Sequence, residues 1–339
     1  MQTDKAIWLL LDTRKPGGIE THVLQLANGL ATANQKVCVI LMKNYGAHPL
    51  KEALRQQNIA IRTIEGGLIA LRREIKAAHP ILIHTHGYKA GILGRLAARS
   101  CGTPVVSTFH AGEIPRGKLA LYDTLDRYTA FLAGKVLAVS PAIAERLPLR
   151  TTLVDNFVNT EQLSLSQGEE IAFVGRLSEE KGPDYFLEIA RQLPDIPFAV
   201  YGDGPLGPSL KKAAPPNLIF HGQQNNMADA WSRIGLLVMP SRAEGLPMAA
   251  LEAMAQGIPV VASRVGALHK LIDHNINGWL QASGDINAFR RSILKWHRQP
   301  HHLHRAIAQK ARNTVDQYFS SQAIIPQLLQ HYRDAADGC

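Results

Sequence analysis

Four glycine-punctuated stretches and a set of histidines carry the residue types that could do chemistry in this 339-residue chain. The first is Lys15-Pro16-Gly17-Gly18-Ile19-Glu20-Thr21-His22, where adjacent glycines remove Cβ atoms just before an amphipathic run. A helix N-terminus there offers free N–H groups and a positive dipole end to a phosphate, although Gly-Gly is equally a tight strand-to-helix turn. The second, Gly202-Asp203-Gly204-Pro205-Leu206-Gly207, matches G-x-G-x-x-G literally. Pro205 and Pro208 weaken it as a dinucleotide site, and Gln223 and Gln224 stand where an acidic residue is needed about 20 residues on. The third, Phe173-Val174-Gly175-Arg176-Leu177-Ser178-Glu179-Glu180-Lys181-Gly182, sets two cations five apart. Arg grips two phosphate oxygens at once and Lys supplies a compact charge, yet Glu179 and Glu180 could pair with both in a solvated turn. The fourth runs from Pro240 to Met254 as PSRAEGLPMAALEAM, with Glu244 before a helix and Glu252 within it. An acidic side chain suits the hydroxyls of a sugar, which donate hydrogen bonds, but a first-turn glutamate is also an ordinary dipole partner.

Histidines form a separate group. In Ile83-His84-Thr85-His86-Gly87 the H-x-H spacing puts both imidazoles on one side of a strand end. With His110 after the next strand, a metal trio is one reading, but no carboxylate or Cys accompanies them at ligand spacing and no metal is expected. His301, His302 and His304 read as a solvated helix face.

Positioning these residues takes strands that end beside one another. Ala6–Leu11, Val37–Met42, Ile81–His86, Val105–Phe109 and Val136–Val139 read as strands, and Glu20–Ala33, Leu50–Gln57, Tyr88–Ser100 and Lys118–Leu132 as helices between them. After the polar stretch Glu161–Glu170 the alternation restarts. Its strands are Ile171–Val174, Phe198–Tyr201, Leu218–Phe220, Leu236–Met239 and Val260–Ala262. Its helices are Pro183–Gln192, Pro205–Ala214, Pro247–Gln256 and Ala267–Ile272. Strands separated by helices mean parallel sheets covered on both faces, so the fold class is α/β with two Rossmann-like doubly wound domains. Ile286–His297, His302–Gln317 and Ser321–Ala335 continue as helices. Ligands of such sheets sit beyond the carboxyl ends of the strands, which directs attention to the cleft between the domains.

Composition agrees with a globular enzyme: 46% hydrophobic and 19% charged, which excludes a disordered or collagen-like chain. No apolar run reaches the roughly 18 residues of a membrane span, and the N-terminus does not read as a secretory signal. Three scattered cysteines point to a reducing, cytoplasmic setting. The net charge of +9 is uneven. Residues 1–150 carry 20 Lys/Arg against 10 Asp/Glu, residues 151–285 carry 9 against 15, and residues 286–339 carry 8 against 3. A basic first half and tail around an acidic middle suggest an anionic partner, with solvated surface as the plain alternative.

Taken together, GGIETH, FVGRLSEEKG, GDGPL and PSRAEGLPMAALEAMAQGIPVVAS, in that order, resemble the family 4 glycosyltransferases. The resemblance implies the GT-B fold, with two domains facing a central cleft and a last helix crossing back to the first. It divides the chain into an acceptor-binding domain over 1–160, a nucleotide-sugar domain over 168–318, and a C-terminal helix over 319–339. It implies retaining, metal-independent transfer from a nucleotide-diphosphate sugar, UDP favoured, with no cofactor. Arg176 and Lys181 would hold the diphosphate, Glu252 the ribose and Glu244 the transferred sugar. Amides of Gly245, Leu246, Pro247 and Met248 would hold sugar and phosphate, with Gly204 also on the donor. Gly17 and Gly18 would close over the diphosphate, His110 would lie beside the reacting sugar, and Phe220–Gln224 would face the base. Where many members carry Pro-Asn-Gly-Val-Asp, this chain reads Asp155-Asn156-Phe157-Val158-Asn159. It has no D-x-D, the mark of metal-dependent GT-A enzymes.

The basic half then points to a glycan, lipid-linked or phosphorylated acceptor, as in cell-surface polysaccharide or lipopolysaccharide synthesis. Leu71–Lys76 and Arg95–Arg116 could rest on an anionic membrane as a peripheral contact at the inner face. No patch or module supports a nucleic-acid partner. A sugar-nucleotide epimerase of the same fold, or a non-catalytic sugar-nucleotide-binding relative, are the alternatives.

Overall fold

The computed structural model describes residues 5–14, 17–110, 117–161, 163–224 and 226–337. They form two units, one of the chain up to Asn159 together with the segment from Ser321 on, the other Thr160–Ser320.

In the first unit the order is β1 (Ile7–Leu11), α1 (Gly18–Thr32), β2 (Val37–Leu41), α2 (Pro49–Gln56), β3 (Ala60–Thr63), α3 (Gly67–Ala78), β4 (Leu82–His86), α4 (Tyr88–Ser100), β5 (Val105–Phe109) and α5 (Lys118–Tyr128). A 3-10 turn (Ala130–Leu132), β6 (Lys135–Ala138), α6 (Pro141–Ala144) and β7 (Thr152–Leu153) follow. The sheet is parallel throughout, in the order β3-β2-β1-β4-β5-β6-β7. Central strands such as IWLLL and VCVIL are buried at every residue because helices cover both faces. Leu9, Leu11, Val39 and Leu82 face one core with Leu26 and Leu30 of α1; Trp8, Leu10 and Ile40 face the other with Leu71 and Ile75 of α3.

The second unit holds β8 (Glu170–Val174), a 3-10 turn (Glu179–Lys181), α7 (Pro183–Arg191), β9 (Phe198–Tyr201), α8 (Gly207–Lys212), β10 (Leu218–Gly222) and α9 (Ala228–Arg233). Then come β11 (Ile234–Met239), α10 (Met248–Ala255), β12 (Val260–Ser263), α11 (Leu268–Leu271), β13 (Gly278–Gln281), α12 (Ile286–His297) and α13 (His301–Tyr318). Its six parallel strands run β10-β9-β8-β11-β12-β13. The final helix, α14 (Ser321–Asp337), packs in the first unit, where Ile324, Ile325, Leu328 and Tyr332 join the core with α1. Val158 O accepts from Ser321 N at 3.0 Å where the chain re-enters that unit.

Strand order reverses between β1 and β4 in one sheet and between β8 and β11 in the other. The loops leaving those four strands are where a doubly wound sheet receives ligand. The stretch expected as one helix over Lys118–Leu132 breaks at Thr129 into α5 and a 3-10 turn. Arg95, expected as a surface cation, is fully buried: its guanidinium reaches Asp126 Oδ1 at 2.6 Å, Asp126 O at 2.7 Å, Thr129 Oγ1 at 2.7 Å and Ser107 Oγ at 3.1 Å. It ties α4, α5 and β5 together and presents nothing to a membrane. Arg116, the other end of that expected surface, lies outside the described residues. Among the described residues no helix is long and apolar enough to cross a membrane.

Candidate functional site

At the end of β8 the chain turns at Gly175, leaving Arg176 exposed, while Leu177 is fully buried. Leu177 is held from both sides: its N–H donates to Asp203 O at 3.0 Å and its carbonyl accepts from Leu206 N at 2.9 Å. A Cβ on Gly204 would meet the Leu177 backbone at 2.5 Å. The glycines of the G-x-G-x-x-G stretch therefore seat one loop on another, and the lack of a side chain at Gly204 is explained by the Leu177 backbone without a ligand.

Beyond Leu177 the 3-10 turn presents Lys181. Gly182 follows with φ +66°, and a Cβ there would lie 2.2 Å from Pro240 O. Only glycine lets this turn sit directly on the loop leaving β11. That loop clamps the turn. Arg242 N and Ala243 N donate to Glu180 O at 2.8 and 3.3 Å, and the Arg242 guanidinium reaches Glu179 O at 2.7 Å. The same guanidinium grips both carboxylate oxygens of Asp184, at 2.8 and 2.5 Å, and lies 3.9 Å from the centre of the Tyr185 ring. These contacts hold Asp184 below the ordinary carboxylate range and Arg242 firmly charged.

Within this clamp Lys181 Nζ meets Glu244 Oε2 at 2.7 Å, and Ser241 Oγ donates to Glu244 Oε1 at 2.8 Å. The Glu244 side chain is 3% exposed and that of Lys181 27%. Two residues expected on different parts of one ligand are thus in direct contact, with the lysine on the solvent side. Just after them α10 begins at Met248 with no side-chain cap. Gly245, Leu246 and Met248 bring backbone N–H groups to this end; Pro247 has none, so the expected amide contact from Pro247 is corrected to three donors. Glu252, on the second turn of α10, is half-buried. Burial pushes its carboxyl up to about 7, against the opposing pull of a hydrogen bond from Trp231.

In the first unit, α1 starts at Gly18 behind Gly17, again without a side-chain cap, and the space a Cβ on Gly18 would occupy is open to 4 Å. Lys15 and Pro16 of that motif, like Ala111 and Gly112 beyond His110, lie outside the described residues. His84 and His86 share a face at the end of β4, ring centres 4.2 Å apart, as the H-x-H spacing implies. His84 is no candidate ligand: its ring nitrogens are taken by Tyr332 Oη and Thr108 Oγ1, both at 2.7 Å. His86 Nδ1 lies 3.0 Å from His110 Nε2. The third member of this group is His22 of α1, 4.6 Å ring to ring from His110, rather than His84. Burial is the largest influence holding all four imidazoles below their ordinary range, His22 at about 4. His304 is not a free helix face either: it stacks on Trp296 at 4.6 Å and contacts Trp296 O at 2.7 Å.

Sequence reasoning missed the partners. Ser241 and Arg242 stood inside the quoted PSRAEG run, and His22 inside GGIETH, but Asp184 and Tyr185 carry no motif. What joins them is the sheet order, which returns β11 beside β8.

Residues 16–162 match the family described as Glycosyltransferase Family 4, and residues 168–299 the one described as Glycosyl transferases group 1. The UDP-Gal:alpha-D-GlcNAc-diphosphoundecaprenol alpha-1,3-galactosyltransferase of Escherichia coli is 28% identical over 278 residues, 70% of this chain and 72% of its own. The D-inositol 3-phosphate glycosyltransferase of Mycolicibacterium smegmatis is 26% identical, covering 96% of this chain and 90% of its own. Among solved structures, HepE of Anabaena, in complex with UDP and glucose, aligns with a TM-score of 0.81 at 21% identity, over 96% of this chain and 99% of that one.

Proposed function

Because the chain belongs to the family 4 glycosyltransferases of GT-B fold, we propose that it transfers a sugar, with retention of anomeric configuration, from a UDP-sugar to a hydroxyl of a lipid-linked glycan. The observation that carries the reading is the Lys181–Glu244 contact beneath the uncapped start of α10, at the strand reversal of the second unit. A donor arriving there meets a cation for its diphosphate, a carboxylate for sugar hydroxyls and the start of α10, with Arg176 exposed on the neighbouring loop. The activities of the relatives, a UDP-galactose-dependent transfer onto a diphosphoundecaprenol-linked sugar among them, support the donor and acceptor classes.

In the reaction the bond from the anomeric carbon to the β-phosphate oxygen breaks as the acceptor oxygen bonds to that carbon. The acceptor proton passes to the departing phosphate on the same face, which preserves configuration. Negative charge grows on the diphosphate as the bond lengthens. Fixed cations at that oxygen stabilise the transition state more than the ground state, which is what raises turnover. Lys181 and Arg176 fill this role in a chain with no D-x-D metal motif. Lys181 must share itself between Glu244 and phosphate, so donor binding reorganises this pair. Glu252, ionised, accepts from ribose hydroxyls. In the first unit, burial holds His110 below its ordinary range, and α1 begins behind Gly17 and Gly18 without a side-chain cap.

A lipid-linked acceptor implies contact with a membrane, and exposed residues of the first unit support that reading. On α3, Arg72, Arg73 and Lys76 are exposed beside Ile69, itself 83% exposed. Helix α3 packs on α4 and α4 on α5, and Leu121 and Tyr128 of α5 and Phe131 after it are exposed. Cations near an anionic leaflet contribute about 1 kcal/mol each.

Thermal shift with UDP-, GDP- and ADP-sugars tests the donor assignment: UDP-sugars alone should raise the melting temperature, and a panel without any shift would remove the reading. Donor incubated without acceptor should stay unchanged; a new epimer would favour the epimerase instead. Vesicle co-sedimentation at low salt should favour anionic over neutral lipid, and equal binding would return the basic face to solvated surface.

A further inference from the structure

We infer that His22, His86 and His110 form a binding site for a divalent transition-metal ion, with Zn2+ as the probe, and that its occupancy withdraws His110 from transfer. Three elements supply the donors: α1, the end of β4 and the residue after β5. One ring nitrogen from each lies within 4.8 Å of the other two. The closest pair, His86 Nδ1 and His110 Nε2 at 3.0 Å, is already near the roughly 3.3 Å that two imidazoles on one tetrahedral ion adopt with metal–nitrogen bonds of about 2.0–2.1 Å. Modest ring rotations bring in His22, whose ring centre is 5.5 Å from that of His86.

Burial shapes the site for a three-ligand ion. His22 and His86 are 3% and 1% exposed, while His110 is half-buried, leaving one side for water or substrate oxygen. One buried ring nitrogen of the trio, Nδ1 of His22, has no hydrogen-bond partner among the described residues. Buried polar atoms are rarely left so, and an ion is one of the few things that accounts for it. The surroundings fix the rings as outer partners do in metal sites: Asn156 hydrogen-bonds His22, and His84, anchored by Tyr332 and Thr108, lies against His86. An all-imidazole set without carboxylates selects Zn2+, Cu2+, Ni2+ or Co2+ over Mg2+ and Ca2+. Binding requires His86 and His110 to give up the proton they share, so it competes with their own hydrogen bond and remains reversible.

The binding test of this site does not depend on the transfer reading. Full-length protein is titrated with Zn2+ against a chromophoric chelator and, separately, with Co2+ read by its visible absorption. One equivalent of Zn2+ should bind, and Co2+ should give the intense spectrum of a tetrahedral ion. His22→Gln, His86→Gln and His110→Gln should each weaken binding at least about tenfold, whereas His304→Gln should not. His110→Gln, at a half-buried position, keeps the test valid if the two buried variants fail to fold. Absence of a stoichiometric Zn2+ site in the wild-type protein, or unchanged affinity in His110→Gln, would overturn the proposal. If transfer activity is present, Zn2+ should inhibit it and chelator should restore it; inhibition that persists unchanged in His22→Gln or His86→Gln would place the ion elsewhere.

Discussion

Replacing Glu252 by glutamine removes a carboxyl that α10 holds in an unfavourable place. Unfolded, this group titrates at its ordinary 4.5; folded, burial carries it to about 7. Below the lower value both states are protonated and the residue costs nothing. Between the two, the folded chain retains a proton that the unfolded chain has released, so stability falls as pH rises. Above about 7 the full cost is in place, at most about 3.4 kcal/mol at 1.36 kcal/mol per tenfold, and less where water reaches the half-buried carboxylate. Glutamine carries no such charge and keeps an oxygen for Trp231. Urea melts of both proteins at several pH values between 4.5 and 8.5 should coincide at the acid end and diverge with rising pH, the variant becoming the more stable. Donor affinity should move the other way: in the wild type it rises as Glu252 ionises and can accept from ribose, and in the variant it is weaker and flat with pH. Identical pH dependence of stability in the two proteins would refute the assignment of a buried, proton-retaining Glu252.

Lys181→Ala should lower turnover about 10²-fold or more in a folded protein, read by steady-state kinetics with circular dichroism as the folding control, because in the proposed reaction Lys181 offsets the charge that grows on the leaving group. Arg242→Ala releases the turn that carries Lys181 and should reduce kcat about tenfold or more with a smaller change in KM; Arg242→Lys, unable to grip both Asp184 oxygens, should recover little. Unchanged kcat in Arg242→Ala would show that the clamp does not position Lys181. Arg95→Met strands a buried Asp126 carboxylate and should cost about 3–5 kcal/mol in chemical denaturation, with a smaller loss in the paired change Arg95→Met with Asp126→Asn.

Much of this could be read from residue order alone. Strands such as VCVIL and VVSTF are continuous apolar runs because both faces are covered, and such runs announce themselves. The edge strand β3, reading AIRT and largely exposed, has no such signature, and β13 is short and starts at a glycine. Glu244 and Lys181 were legible as types suited to a nucleotide sugar, but their contact was not, because 63 residues separate them and only the pairing of β8 with β11 brings them together. Arg95 misled for the opposite reason. A basic residue in a basic half reads as surface until Asp126, 31 positions on, is seen to neutralise it in the core. The histidines show both limits: H-x-H spacing gave the shared face of His84 and His86, while the Tyr332 hydroxyl that occupies His84 arrives from 248 residues away.

The central claim is that Lys181 and its neighbours serve transfer from a UDP-sugar to an acceptor hydroxyl. The direct measurement is acceptor-dependent release of UDP from UDP-galactose and UDP-glucose, with a polyprenyl-diphosphate-linked sugar as acceptor and the linkage of the product read by NMR. The account predicts UDP release that requires acceptor, collapses in Lys181→Ala, and yields an α-linked product from the α-linked donor. A folded wild-type protein that binds neither donor and releases no UDP with acceptor present, or that gives a β-linked product, would contradict it.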